Sequence, residues 1–139
     1  MRHRKKTVKL NRTTSHRKAL LANLVSSLIR EEAIVTTVAK ARAARPLAEK
    51  MVTLAKKNTL ATRRRAIKIL RNKEAVRKLF SELGPRFAIR PGGYTRLLKL
   101  ARGRRGDGAP MARLSFLEEG ESVSSSPTGP TPVKDATRK

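Results

Sequence analysis

The chain has 139 residues, no cysteine and a formal charge of +24, with 34 lysines and arginines against 10 carboxylates. This excludes disulfides, thiolate metal sites and cysteine nucleophiles, and it leaves most of the positive charge without an internal partner. Hydrophobic residues make up 38% and aromatics 3%, which allows one domain with a small core of Leu, Ile, Val and Ala, plus tails. The excess charge must spread in water or face a polyanion, and nucleic acid is the leading class of partner. Self-repulsion weakens the isolated fold and predicts full order only with the partner bound. The N-terminus is charged without an apolar stretch behind it, so it does not read as a secretory signal. No apolar run approaches membrane-spanning length.

In chain order, residues 1–14 read as an extended basic arm. Arg2, Arg4, Lys5, Lys6, Lys9 and Arg12 crowd it, and Val8 and Leu10 are its only bulky apolar residues after Met1. Such a segment lacks the buried area to offset its ordering entropy. A helix begins near Ser15, where Leu20, Leu21, Leu24, Val25, Leu28 and Ile29 form an apolar stripe ending near Glu32. Its first turn carries His16, Arg17 and Lys18. Cations there oppose the helix dipole, a placement that makes sense if a phosphate sits at that end.

Residues 33–37, β-branched from Ile34 onward, predict a strand, with Thr37 placed to cap a second helix. Ala41, Ala44, Ala48, Met51, Val52 and Ala55 share one face of that helix, and Lys40, Arg42, Lys50, Lys56 and Lys57 avoid it. Pro46 predicts a kink, or a break with a new helix starting there. A third helix spans Leu60 to Leu70 and carries Arg63, Arg64 and Arg65. A fourth follows Asn72 with Val76, Leu79, Phe80 and Leu83 at helical spacing, a Glu74–Lys78 pair in support, and a stop at Gly84-Pro85.

Beyond Pro85 the pattern changes. Pro91-Gly92-Gly93 is a turn, or a close approach of main chain to phosphate; Tyr94 to Leu100 and Met111 to Leu117 read as strands. Ala112, Leu114 and Phe116 alternate with Arg113 and Ser115. The link from Arg102 to Gly108, with an Asp-Gly turn signal, makes a hairpin with a basic loop. The strand near Ile34 can join its sheet. The fold class is α+β: about four helices, then a small sheet of about three strands. Residues 118–139 hold Lys134, Arg138 and Lys139 against Glu118, Glu119, Glu121 and Asp135, a net of −1 that leaves +25 on residues 1–117. The serines and prolines there mark a disordered tail. The division is therefore an arm (1–14), a single α+β domain whose charge suits nucleic acid (15–118) and a tail (119–139).

Catalysis finds little support. The two histidines lie in the basic N-terminal region, and their nearest acids in sequence are Glu31 and Glu32. No spacing supplies an oriented base or a metal-ligand set, so neither cofactor nor metal is expected. Gly92-Gly93 lacks the pattern of a mononucleotide loop. Arg105-Gly106-Asp107 matches a cell-adhesion tripeptide by chance within a turn. The basic residues are the informative set, with 20 arginines and 14 lysines. They fall in the arm, on the second helix (Lys40, Arg42), at Arg63, Arg64 and Arg65, and in the loop at Arg102, Arg104 and Arg105, with Arg90 beside the Pro-Gly-Gly turn. Guanidinium forks grip phosphate and stack on bases better than ammonium groups do. Blocks on several sides suggest protein packed into folded RNA. Tyr94, the lone tyrosine, either stacks on a base or packs on the sheet.

The ordered series Met1-Arg2-His3-Arg4, Leu10-Asn11-Arg12, Ser15-His16-Arg17, Ile34-Val35-Thr36-Thr37 with Lys40-Ala41-Arg42, Gly84-Pro85-Arg86, Gly92-Gly93-Tyr94-Thr95-Arg96 and Gly106-Asp107-Gly108-Ala109-Pro110-Met111-Ala112 resembles the bacterial L-seventeen family of large-subunit ribosomal proteins. The resemblance runs from Met1 to about Glu118. It departs at Ala39, where the family often has proline, while this chain has Pro46. It implies an α+β domain with a basic arm, bound to large-subunit ribosomal RNA near the polypeptide exit side and beside neighbouring ribosomal proteins, without enzymatic activity. It further implies that Arg2, His3, Arg4, Asn11, Arg12, Ser15, His16, Arg17, Arg86, Tyr94 and Arg96 face RNA or shape the site. The expected location is a cytoplasmic, ribosome-bound one, in a bacterium or an organelle, with no membrane and no homo-oligomer required.

Two rivals belong to other classes. A DNA-binding protein would use the third and fourth helices as a helix-turn-helix, which leaves the arm and the hairpin loop without a role. A membrane-active peptide would need a stronger basic–apolar helix than the first one.

Overall fold

The computed structural model describes residues 8–118. The chain forms α1 (Thr14–Glu31), β1 (Ala33–Thr37), α2 (Val38–Lys57), α3 (Leu60–Leu70), α4 (Lys73–Lys78), β2 (Thr95–Lys99) and β3 (Met111–Phe116). The expected α+β class and its small antiparallel sheet are present. β3 is the middle strand, in the order β1-β3-β2. Ala33 faces Ser115 and Thr37 faces Met111 on one side of it; Thr95 faces Phe116 and Lys99 faces Ala112 on the other. Alternation puts Ala112, Leu114 and Phe116 into the core while Arg113 stays in water, as a sheet covered on one face requires.

α2 is the element on which the others assemble, touching α1, α3 and all three strands. Its buried face is Ala41, Ala44, Ala48, Met51, Val52 and Ala55. Four of these six are alanines, so neighbouring backbones come close. The helix runs through Pro46 unbroken. Arg42, whose carbonyl loses its intrahelical donor there, and Pro46 are both exposed, so the lost bond falls on the outer side of the helix and no break is needed.

Gly84-Pro85 does not stop the fourth helix either. α4 continues through a π segment at Leu79–Leu83 and a final helical turn at Gly84–Arg86. The Gly84 amide donates to the Leu79 carbonyl, the wide spacing of a π turn, and this absorbs the donor that Pro85 lacks. Gly84 serves proximity rather than termination: a Cβ there would lie 3.2 Å from the Ala55 carbonyl oxygen of α2. The short connections are locally encoded. Thr59 and Thr62 form a reciprocal capping box on α3, and the Asn72 side chain accepts the Ala75 amide at the start of α4.

Two carboxylates tie helices to sheet. Glu49 on α2 accepts the amides of Tyr94 and Thr95 (both 3.1 Å) and the Thr95 hydroxyl (2.7 Å), fixing the entry to β2. Glu32 ends α1 in the left-handed conformation (φ 61°), unusual for a residue with a Cβ. Its surroundings hold it: Arg86 grips both carboxylate oxygens (2.7 and 3.0 Å), and the Glu32 carbonyl accepts the Phe116 amide (2.9 Å). Lys78 does not pair with Glu74 as its spacing suggested. Its ammonium lies 3.4 Å from Glu32 and 3.9 Å from Glu82, and it donates to the Arg30 carbonyl, because the fold brings the end of α1 over α4.

Replacing Glu49 by Ala strands a fully buried Thr95 hydroxyl and removes the acceptor of two amides. The expected loss is about 2–4 kcal/mol of unfolding free energy, read from the urea midpoint. Glu32 gives a pH test. The Arg86 hydrogen bond, aided by the charges of Arg86 and Lys78, holds its carboxyl below the ordinary carboxylate value. A depressed folded value means stability that is complete at neutral pH and lost as pH falls through that value. The stability advantage of the wild type over Glu32→Gln should therefore shrink in acid; an advantage that grows there would contradict the assignment.

Candidate nucleic-acid interface

Three carboxylates, Glu32, Glu49 and Asp107, are drawn into the fold, and two of them help decide which cations remain for a partner. Glu32 holds Arg86 and Lys78, Glu49 holds backbone amides, Glu31 lies 3.5 Å from Arg30, and Asp107 holds Arg104. The sequence-predicted set thus divides into cations engaged by the fold and cations offered to solvent.

At the N-terminal end, Arg2, His3, Arg4, Lys5 and Lys6 lie outside the described residues. From Lys9 onward the chain is not extended: Leu10 and Asn11 have positive φ (54° and 49°), and the Arg12 amide reaches back to the Lys9 carbonyl at 3.2 Å. This turn feeds α1, which begins one residue ahead of Ser15. Arg12 Nη1 donates to His16 Nε2 at 2.7 Å, joining two predicted residues one helical turn apart. The first turn of α1 holds no acid, and Thr13 makes no side-chain cap bond to it. Lys9, Asn11, Ser15, His16 and Lys18 are exposed, and Arg12 and Arg17 are half-buried. The free amides and these cations converge on the end of one helix, an arrangement suited to a phosphate.

On α2, Arg42 is exposed and Lys40 half-buried. Lys56, placed by the sequence among the cations off the apolar face of α2, is structural: its ammonium donates to the Arg90 carbonyl at 2.6 Å and sits 5.5 Å from the centre of the Tyr94 ring. The three arginines of α3 are not equivalent. Arg63 donates twice to the Asn58 side-chain oxygen (3.0 and 2.8 Å) and lies 5.4 Å over the Phe80 ring. Arg64 and Arg65 are exposed.

Tyr94 and Arg86 need correction. Tyr94 is 2% exposed, its ring tilted against Phe87 at 5.3 Å, so no base can stack on it. It shapes the site by packing, together with Phe87 and Phe116. Arg86 is engaged by Glu32 and only 21% of its side chain is exposed. Arg90 and Arg96 are half-buried, Arg90 donating to the Gly93 carbonyl at 3.3 Å.

The hairpin loop is an organised platform. The Arg104 guanidinium grips the Asp107 carboxylate, which also accepts the Ala109 amide (3.2 Å). Arg104, and then the Ala109 amide, hold Asp107 well below the usual carboxylate range. The Arg104 amide donates to Ala109, and the Gly108 amide to Arg104. Gly103 is required by proximity, since a Cβ would lie 2.6 Å from the Gly108 carbonyl oxygen. The Asp107 carboxylate, although exposed, is thus committed to Arg104 and the Ala109 amide within its own loop. Arg102 and Arg105 remain exposed.

Sequence reasoning missed Lys68 and Arg71, both exposed. Their signal was present: Arg65, Lys68 and Arg71 recur at intervals of three and so share one side of α3 and its end. Among the described residues, no three His, Asp or Glu side chains come together as a metal site. Also among them, no helix is long and apolar enough to cross a membrane.

A family model for ribosomal protein L17 matches residues 20–117. The large ribosomal subunit protein bL17 of Rhodopseudomonas palustris strain BisB5 is 50% identical over 136 residues, covering 98% of this chain and 99% of that protein. Its counterpart in strain BisB18 is also 50% identical over 136 residues, covering 98% of this chain and all of the relative. On this match across the whole folded domain, the chain belongs to the ribosomal protein L17 family.

Proposed function

We propose that the chain is a structural constituent of the large ribosomal subunit. It binds large-subunit ribosomal RNA near the polypeptide exit side by neutralising phosphates at several points, and it has no catalytic role. One observation carries this reading: Glu32, Glu49 and Asp107 are engaged within the fold, while cations that outnumber the remaining acids stand exposed at the α1 end, on α3 and on the hairpin loop. Separate basic patches on a rigid scaffold suit a folded RNA that surrounds the protein. Residues 1–14 act as a basic arm leading into α1, residues 15–118 as the RNA-binding domain, and residues 119–139 as a tail outside the interface. Neighbouring ribosomal proteins complete the surroundings, in a bacterial cytoplasm or an organelle.

The arginines of α3 provide the test. In binding to large-subunit ribosomal RNA, the double variant Arg64→Ala, Arg65→Ala should flatten the plot of log affinity against log salt by about 0.7–0.9 for each phosphate no longer neutralised. Its thermal unfolding should stay as in the wild type. Arg63→Ala should instead lower the melting temperature, because Arg63 is docked on Phe80 and Asn58. An unchanged salt slope in the double variant would mark that face as solvated surface. Equal or stronger binding of the wild type to duplex DNA at the same salt would overturn the RNA assignment.

A further inference from the structure

A groove of about 1300 Å³ runs between the first half of α1 and the second half of α3. Its floor is apolar: Leu21, Leu47 and Ile69, from three different helices, are only partly buried there. Its rim is cationic: Lys18, Arg65, Lys68 and Arg71 are all exposed, and no carboxylate lines it. We propose that this groove receives unpaired nucleotides of the ribosomal RNA, with a base against the aliphatic floor and the flanking phosphates on the rim.

The two chemistries together select the occupant. An RNA duplex presents phosphate and ribose with its bases stacked inside, so it would satisfy the rim and leave the floor wet. A bulged or looped nucleotide presents both, a flat apolar face beside an anionic backbone. Guanidinium planes can flank a splayed base where aromatic side chains are lacking. Size agrees. The groove exceeds the range of roughly 300–1000 Å³ usual for a pocket holding one small molecule, and fits a short stretch of single strand. It also opens at Thr14 and Ser15, beside the Arg12–His16 pair, so a strand leaving the groove continues along the basic end of α1. The inference rests on the ribosomal RNA reading above and goes beyond it by naming single-stranded nucleotides and the place that takes them.

The absence of cysteine makes a clean test possible, because a single introduced thiol is labelled alone. Ala19→Cys, at an exposed position on the groove edge, and Arg102→Cys, on the hairpin loop, are each labelled with a benzophenone in the full chain. Each is then bound to large-subunit ribosomal RNA, irradiated and mapped by primer extension. The groove label should reach an unpaired nucleotide and the loop label should reach RNA of any structure. If the loop label crosslinks RNA while the groove label reaches only paired nucleotides, or none, the groove proposal falls and the RNA function stands. If neither label reaches RNA, both fall. As a second measurement, Leu47→Gln should weaken RNA binding about five- to tenfold with an unchanged salt slope, since it alters the floor and no charge. Unchanged affinity, with an unchanged thermal transition, would leave the floor without an occupant and overturn the proposal.

Discussion

The scarcity of carboxylates, and where they are placed, governs this molecule. With 10 acids against 34 lysines and arginines, internal pairing can neutralise only a fraction of the charge. Glu32 locks the end of α1 to the last turn of the fourth helix through Arg86 and Lys78. Glu49 fastens α2 to the start of β2. Asp107 folds the hairpin loop around Arg104. Each of these acids holds together parts of the fold, and Glu32 and Asp107 also take cations out of the pool available to a partner. The basic surface that remains is therefore a product of the fold as much as of composition.

The scaffold that bears this surface is thin but closely packed. The alanine face of α2 admits helices on one side and the sheet on the other, and Gly84 lets the fourth helix settle against Ala55. The aromatics are few, yet Phe87, Tyr94 and Phe116 pack together between the last helical turn and the sheet. Tyr94 is also reached by the Lys56 ammonium. α2 thus holds the 90–95 segment at two points on its length, through Glu49 and Lys56. That segment is the entry to the hairpin whose loop presents Arg102 and Arg105. The position of the loop platform traces back to α2, whose own candidate cations, Lys40 and Arg42, lie near its start.

An exposed cation loses side-chain entropy on every contact it makes, but a packed frame fixes the spacing between the basic patches in advance. The family match runs through the folded domain, residues 20–117, and the separate basic patches are all mounted on that domain or at its entrance. The chain belongs to the ribosomal protein L17 family, and its internal ion pairs explain why only some of its cations compose these patches.

Much of the architecture was legible in the sequence. Apolar spacing located α1, α2 and the fourth helix, alternation located β3, and Asn72 and the Asp-Gly turn are local signals realised locally. Periodicity, capping and net charge are properties of neighbouring residues, so a linear reading recovers them. What the sequence hid are pairings across distance. Glu49 meets Tyr94 from 45 positions away, and Arg86 meets Glu32 from 54. Nothing local marks Arg63 as docked and Arg64 as free, or Tyr94 as buried. The tertiary structure alone decided which cations are neutralised and where apolar floor meets basic rim, because electrostatics and burial act through space and depend on which segments the packed core brings together.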